Sequence, residues 1–138
     1  MRGKIPSRVH HLEIRIMTQL LLIRHAVNDF VKTGKLAGWT PQVHLNDDGK
    51  AQAAALGKRL ADAPLAHIYT SPLERTVETA QAIHDHHPDI PFDITDKIGE
   101  VDYGDWQGKK IADLRQRKMW DVIQEYPTRA YFPNGETM

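Results

Sequence analysis

An arginine and a histidine stand together directly after a short apolar run. The run is Leu20–Ile23, and Arg24 and His25 follow it without a break. A short apolar stretch without alternation predicts a strand that is buried on both faces of a parallel sheet. Polar residues at the carboxyl end of such a strand lie where open α/β sheets bind ligands. We therefore expect Arg24 and His25 to meet a phosphate. The alternative is an ordinary core strand followed by a solvated Arg-His pair.

A second arginine occupies the start of a predicted helix. Ser71 is predicted to be the N-cap, Pro72 the first helical residue and Glu74 the partner in a capping box. Arg75 then lies in the first turn, beside free backbone N–H groups of the kind that bind phosphate. A cation at this end opposes the helix dipole, and a bound anion explains why it is there.

A carboxylate is the third candidate for chemistry. Glu100 lies within Ile98–Gly108, a stretch that contains three glycines and two aromatic residues. This composition predicts a shaped loop rather than a helix. Glu100 is our candidate for the proton donor.

An irregular segment connects these groups. Residues 26–45 contain Gly34, Gly38 and Pro41, and we expect them to form a loop that is one wall of the pocket. Gly38 is included among the predicted substrate-binding residues. The amide of Asn28 suits phosphate oxygens, but it equally suits a turn in which it bonds its own backbone. The sequence leaves these two alternatives for Asn28 open.

The remaining patterns predict an α/β domain that positions these side chains. Asn46 as an N-cap, followed by two acidic residues, predicts a helix of about four turns. The other predicted elements are strands at Leu65–Thr70 and Phe92–Ile94, a helix that starts at Ser71 and ends near His84, and one or two amphipathic helices between Ile111 and Glu125.

Composition narrows the function classes. Of 138 residues, 41% are hydrophobic and 26% are charged, and 18 basic residues balance 18 acidic ones. This balance argues against nucleic acid and anionic membranes as partners. The absence of cysteine excludes disulfides and Cys-based zinc sites. With no apolar run long enough to span a bilayer, we expect a cytoplasmic protein.

The first 16 residues differ from the rest of the chain. They contain four basic residues against a single acid, Glu13, and they lack the apolar core of a secretory signal. Met17 stands just before the predicted first strand. We predict that residues 1–16 are a disordered or non-native leader and that the domain begins at Met17.

Four groups of residues together resemble the histidine phosphatase superfamily, which includes phosphoglycerate mutases and many phosphatases. The resemblance runs from about Thr18 to the last residue and keeps the family's order. The groups are Arg24-His25-Ala26, Leu45-Asn46-Asp47-Asp48-Gly49, Ser71-Pro72-Leu73-Glu74-Arg75-Thr76 with Thr79-Ala80, and Glu100 with Tyr103-Gly104-Asp105-Trp106-Gln107-Gly108.

The resemblance implies a fold and a set of roles. The fold is a three-layer α/β sandwich with a mostly parallel central sheet, as in phosphoglycerate mutases. His25 becomes the nucleophile that accepts the phosphoryl group, Arg24 and Arg75 bind its oxygens, and Glu100 protonates the leaving alkoxide. The family implies a small phosphorylated substrate, without a metal or another cofactor.

The sequence also departs from the family pattern. Ala26 stands where glycine is usual and Asn28 where threonine is usual, which we interpret as subgroup variation in the pocket. The family takes a second histidine from a later strand, and residues 133–137 resemble the segment that precedes it. The histidines without a matching context are His44, His67, His84, His86 and His87. We therefore expect residues 17–138 to be the N-terminal part of a longer domain, incomplete at the C-terminus.

The predicted function follows from these roles. We favour a phosphomonoester phosphatase over a phosphomutase, because hydrolysis is the commoner outcome in small members. The alternatives are a catalytically inactive module that binds phosphorylated ligands and a non-functional fragment. Without a further strand beside it, Leu20–Ile23 would be an unpaired apolar edge. We expect the isolated chain to be poorly soluble and to have little or no phosphatase activity.

Overall fold

The computed structural model describes residues 18–137, so the predicted leader and Met17 lie outside the described residues. Two short parallel strands pair with Ile68 opposite Phe92 and Thr70 opposite Ile94. This pair confirms an α/β fold with a parallel sheet. In chain order the helices and strands are α1 (Asp29–Lys32), α2 (Asp47–Leu60), β1 (Ile68–Thr70), α3 (Glu74–His84), β2 (Phe92–Ile94), α4 (Ile111–Leu114) and α5 (Lys118–Glu125), with 3₁₀ turns at Asp96–Ile98, Gly104–Trp106 and Pro127–Arg129.

Helix α2 begins as predicted and packs along α3. The Asn46 side chain accepts a hydrogen bond from the Gly49 amide, and α2 continues for 14 residues, about four turns. Gly57 permits the close approach of the two helices, because a Cβ there would lie 2.1 Å from the Ala82 carbonyl oxygen. No helix within residues 18–137 is long and apolar enough to cross a membrane.

Helix α3 starts later than the predicted capping box requires. It begins at Glu74, and its N-cap Leu73 makes no side-chain cap bond. The box is wrong because Glu74 turns outward to accept a hydrogen bond from the Gln42 amide. Ser71 lies before the helix, where its carbonyl accepts the Thr76 hydroxyl. The prediction that Arg75 lies in the first turn is nevertheless confirmed.

The predicted first strand is wrong. Leu20–Ile23 belong to no strand, and Leu20 and Leu22 are 79% and 87% exposed. An apolar strand needs backbone partners along its edges and apolar side chains over both faces. The sheet of the described residues contains only β1 and β2, so residues 20–23 have neither kind of support there.

A buried hydrophobic cluster supports the loop that carries Glu100. Trp106, Leu114 and Phe132 are buried together, with the Phe132 ring edge-on to Trp106. They join the 3₁₀ turn at Gly104–Trp106 to α4 and to the C-terminal segment. The prediction of one or two helices between Ile111 and Glu125 is confirmed, with two helices present.

Candidate active site

The half-buried imidazole of His25 has a defined orientation. Its Nδ1 lies 2.8 Å from the carbonyl oxygen of Ala26. A carbonyl can only accept a hydrogen bond, so Nδ1 carries the proton, and the neutral ring keeps its lone pair on Nε2. The predicted nucleophile therefore has a nucleophilic nitrogen available.

The segment after His25 is attached to α3 by one hydroxyl. The Ala26 amide donates to Oγ1 of Thr79 across 3.0 Å. The same hydroxyl donates to the carbonyl of Arg75 across 2.7 Å. Sequence reasoning noted Thr79 only as part of a motif. Its spacing of four residues from Arg75, which places both on one helix face, was the available signal.

Arg75 is a buried cation with unused donors. The residue is 1% exposed, and its Nη2 donates to the Gly38 carbonyl across 2.8 Å. Nε and Nη1 are buried without a partner among residues 18–137. Burial lowers the pKa of Arg75, while the charges of Glu100 and Glu74 oppose that shift. Buried donors without acceptors are costly, so these two nitrogens suit a bound anion.

Gly38 holds the Arg75 guanidinium through its backbone carbonyl. It is buried with a φ of +51°, a conformation that favours glycine. A Cβ at this position would lie 2.4 Å from the Gln107 Oε1 and 2.9 Å from the Tyr103 ring. The structure assigns its carbonyl to Arg75, while direct contact between Gly38 and a substrate stays a prediction.

The structure shows the turn alternative for Asn28, and phosphate binding by its amide stays a prediction. It is fully buried, and its Oδ1 caps α1 by accepting the Val31 amide across 3.0 Å. The amide nitrogen Nδ2 is buried without a partner in the described chain. The turn uses the oxygen of Asn28, and the nitrogen remains available as a donor to an anion.

Charge and burial both act on the imidazole. The pKa of His25 lies below its usual value, chiefly because burial disfavours the charged ring, and the charges of Arg75 and the exposed Arg24 lower it further. The hydrogen bond to the Ala26 carbonyl and the Glu100 carboxylate oppose the shift. Both predicted arginines and the predicted acid therefore lie within electrostatic range of one imidazole. The neutral, nucleophilic form is favoured.

Glu100 is exposed at an open cleft and is held from two sides. Its Oε1 accepts the Val101 amide at 3.0 Å and the Tyr103 hydroxyl at 3.2 Å, and its backbone carbonyl accepts the Trp39 indole N–H. Burial and the negative charge of Glu100 raise the pKa of Tyr103 to about 12, so the tyrosine remains a donor. These contacts use Oε1 and leave Oε2 for proton exchange. Sequence reasoning gave neither aromatic residue this role.

Among residues 18–137, no group of three or more His, Asp or Glu side chains is arranged to hold a metal ion. Several hydrogen-bond donors of the described residues are instead buried without a partner. Besides the Arg75 nitrogens and Asn28 Nδ2, the Ser71 hydroxyl is buried without a partner in this range. A donor-rich site of this kind suits an oxyanion.

Two curated relatives have catalytic names. The chain is 32% identical over 124 residues to "Phosphoserine phosphatase 1" of Hydrogenobacter thermophilus, covering 88% of this chain and 58% of the relative. It is 33% identical over 127 residues to the 2,3-bisphosphoglycerate-dependent phosphoglycerate mutase of Bartonella bacilliformis, covering 86% of this chain and 60% of the relative.

Solved structures share the fold. Bacillus stearothermophilus YhfR matches 82% of this chain and 56% of its own with a TM-score of 0.71 and 31% identity. A putative alpha-ribazole-5'-P phosphatase from Escherichia coli matches 83% of this chain and 57% of its own, with a TM-score of 0.72 and 26% identity. The chain thus spans less than two thirds of the length of these proteins.

The family assignment rests on the match of a family model to most of the chain. The sequence model of the histidine phosphatase superfamily (branch 1) matches residues 20–138, a range that contains every predicted site residue. The resemblance inferred from four short motifs is therefore confirmed along the described chain. This chain belongs to the histidine phosphatase superfamily.

Proposed function

We propose that the chain carries the nucleophile and the anion-binding groups of a phosphomonoester phosphatase. One observation carries this proposal, namely that Arg75 is 1% exposed while two of its nitrogens have no partner among residues 18–137. A buried guanidinium with free donors is expensive unless an anion completes it. The free Nε2 of His25, within electrostatic range of Arg75, supplies a nucleophile beside that anion.

The proposed reaction has two steps. In the first, Nε2 of His25 attacks phosphorus, the N–P bond forms and the P–O bond to the alcohol breaks, while Glu100 gives its proton to the leaving oxygen. In the second, water attacks phosphorus, the N–P bond breaks, and Glu100 recovers a proton from that water. Arg24 and Arg75 offset the charge on the transferring phosphoryl oxygens in both steps.

The buried amide of Asn28 extends the proposed site. Its Nδ2 needs an acceptor, and a phosphate oxygen is a suitable one because the Oδ1 of the same residue is committed to the α1 cap. Gly38 contributes indirectly, because its carbonyl fixes one arm of the Arg75 guanidinium. These contacts favour a compact phosphoryl group at this position.

The finer parts of the proposal are the substrate and the reaction outcome. One relative is named a phosphoserine phosphatase and another a phosphoglycerate mutase, which supports a small phosphorylated substrate. We favour phosphatase activity over phosphomutase activity. We also favour a cytoplasmic location. The chain covers 58–60% of the length of these relatives. The activity of a complete domain of this kind is therefore part of what we propose.

Trapping the covalent intermediate tests the proposal. The protein is mixed with p-nitrophenyl phosphate, quenched in alkali, and examined by mass spectrometry for phosphorylated histidine. We expect a phosphoryl group on His25 and none in His25→Asn. A single turnover suffices, so the measurement does not depend on efficient hydrolysis by this chain.

Phosphate binding supplies the matched control. His25→Asn should bind inorganic phosphate nearly as tightly as the unmodified protein, whereas Arg75→Gln should bind at least tenfold more weakly, since charge-assisted hydrogen bonds contribute about 1.5–3 kcal/mol each. Arg59→Gln, on the exposed face of α2, should bind normally. Arg75-dependent binding without a phosphohistidine would overturn the enzyme proposal in favour of a phospho-ligand-binding module.

A further inference from the structure

We propose that Thr79 is a positioning residue that orients the His25 imidazole and couples it to the helix that carries Arg75. Three consecutive hydrogen bonds carry this inference, which rests on the proposed function of the same site. The His25 ring donates to the Ala26 carbonyl, the Ala26 amide donates to the Thr79 hydroxyl, and that hydroxyl donates to the carbonyl of Arg75.

The hydroxyl of Thr79 is well suited to this connection. A hydroxyl has one proton to donate and lone pairs to accept, so it can satisfy a carbonyl and an amide at the same time. Thr79 is 3% exposed, which protects both bonds from competition by water. Its two partners lie on different segments, because the Ala26 amide is 53 residues away along the chain.

The two peptide units that flank Ala26 are both fixed. Thr79 holds the first unit through the Ala26 amide, at 3.0 Å. Gln52 holds the second through the Val27 amide, at 3.1 Å. The carbonyl of that second unit accepts the His25 ring. The direction of the Ala26 carbonyl therefore depends on two bonds, one from Gln52 and one from Thr79. Loss of the Thr79 bond leaves this acceptor with the Gln52 support alone, so the carbonyl holds the proton on Nδ1 and the lone pair on Nε2 less firmly.

A neighbouring threonine shows the ordinary role of such a hydroxyl. Thr76 also lies on α3, and its hydroxyl lies within bonding distance of the carbonyls of Ser71 and Leu73. These contacts are local to the start of the helix, as is common for threonine in helices. Thr79 makes the equivalent bond to Arg75 and, in addition, accepts an amide from the nucleophile segment. The second contact is what gives Thr79 a role in positioning.

Nitrogen NMR of the imidazole tests the proposal in the unliganded protein. The two ring nitrogens of His25 report directly which of them carries the proton. In the full chain we expect one tautomer, with the proton on Nδ1, and the same tautomer in Thr79→Ser, which restores the hydroxyl. Thr79→Val keeps the side-chain volume but removes the hydroxyl, and should give a mixture of tautomers. Thr76→Val is the matched control and should leave the tautomer unchanged.

A second readout separates positioning from binding. In Thr79→Val, the rate of phosphohistidine formation should fall about tenfold, while the dissociation constant for inorganic phosphate should change less than threefold, because the Arg75 donors remain. Thr79→Ser should restore the rate to within about twofold. This pattern is not expected of general destabilisation, which would affect binding and rate together.

The outcomes separate this proposal from the function on which it rests. An unchanged tautomer in a folded Thr79→Val would overturn it, as would an equal change in Thr76→Val. If the valine variant does not fold, Thr79→Ser decides, and a tautomer mixture in that variant would contradict the proposal. Failure of the unmodified protein to bind phosphate would refute the proposed function while the tautomer measurement still judges Thr79.

Discussion

The guanidinium of Arg75 donates to the carbonyl of Gly38 across 2.8 Å, although 37 residues separate the two in the chain. One cation is therefore held by the loop that follows His25 while it is carried by the helix that follows β1. The residue that supplies this carbonyl, Gly38, has a positive φ, which favours glycine. The orientation of the arginine thus depends on a position where other residues are strained.

Alanine substitution at two glycines tests this dependence. Gly38→Ala introduces both a strained φ and a clash with Gln107 and Tyr103, and should lower the free energy of unfolding by about 2–5 kcal/mol. Gly34→Ala has a similar φ of +64° but nothing within 4 Å of the added Cβ, and should lose about 1–2 kcal/mol. Urea unfolding measures both losses of stability. Equal losses would show that the clash with Gln107 and Tyr103 contributes nothing.

The second prediction concerns the pH at which the His25 imidazole becomes protonated. Because burial and two arginines lower its pKa, the imidazole should become protonated only below the ordinary value of 6.5. Arg75→Gln removes one positive charge and should move the midpoint upward, whereas Arg59→Gln should not. Proton NMR of the imidazole measures the midpoint. A titration at or above 6.5 in the unmodified protein would contradict the burial of the ring.

The same shift affects stability. Below about pH 6.5 the unfolded chain binds more protons at His25 than the folded chain does. The free energy of unfolding therefore falls as the pH is lowered from 6.5 through the folded-state pKa. His25→Asn should show a weaker dependence on pH over this range, measured by urea unfolding in matched buffers.

Aspartate substitution at two helix caps is the fourth prediction. Asn28→Asp keeps an oxygen that can cap α1 but replaces the buried Nδ2 donor with a carboxylate oxygen. Phosphate binding should fall by at least tenfold, because a charge now repels the anion. Asn46→Asp makes the corresponding substitution at the cap of α2, where the amide nitrogen donates to the exposed Asp29 carboxylate, and should leave phosphate binding unchanged. Phosphate titration by calorimetry tests this, and normal binding by Asn28→Asp would remove Asn28 from the site.

The exposed apolar run provides a fifth prediction. Leu22 is 87% exposed, so Leu22→Ser should change the free energy of unfolding by less than about 0.5 kcal/mol while reducing self-association. Leu114 is fully buried, and Leu114→Ala should cost about 2–5 kcal/mol. Urea unfolding and light scattering measure the two effects. A large loss of stability in Leu22→Ser would show that this side chain is buried in solution.

Local chemistry made parts of the fold predictable. The Asn46 cap with two following acids defined the start of α2, and the apolar spacing beyond Ile111 predicted the helices there. Leu20–Ile23 was not predictable from its own residues, because burial of a strand depends on neighbours distant in sequence. The capping box at Ser71 failed for a similar reason, since Glu74 bonds to the distant Gln42 amide.

In the candidate site, too, some roles could be predicted from residue type and others depend on contacts between distant segments. Residue type pointed to Arg75, His25 and Glu100, because each has a side chain with intrinsic chemistry. The supporting roles of Thr79 and Tyr103 depend on contacts that only the folded chain forms. Asn28 shows the limit most clearly, because one side chain satisfies a turn with its oxygen and leaves its nitrogen unpaired.

Gly38 and Trp39 are adjacent, and they hold two different parts of the site. The carbonyl of Gly38 fixes the arginine, and the indole of Trp39 fixes the peptide that carries Glu100. Because the two residues are adjacent, a shift of this dipeptide would move both the Arg75 guanidinium and the Glu100 peptide. An engineer who wants a new leaving-group preference with an unaltered grip on phosphate should leave these two positions untouched and vary the outer rim of the cleft.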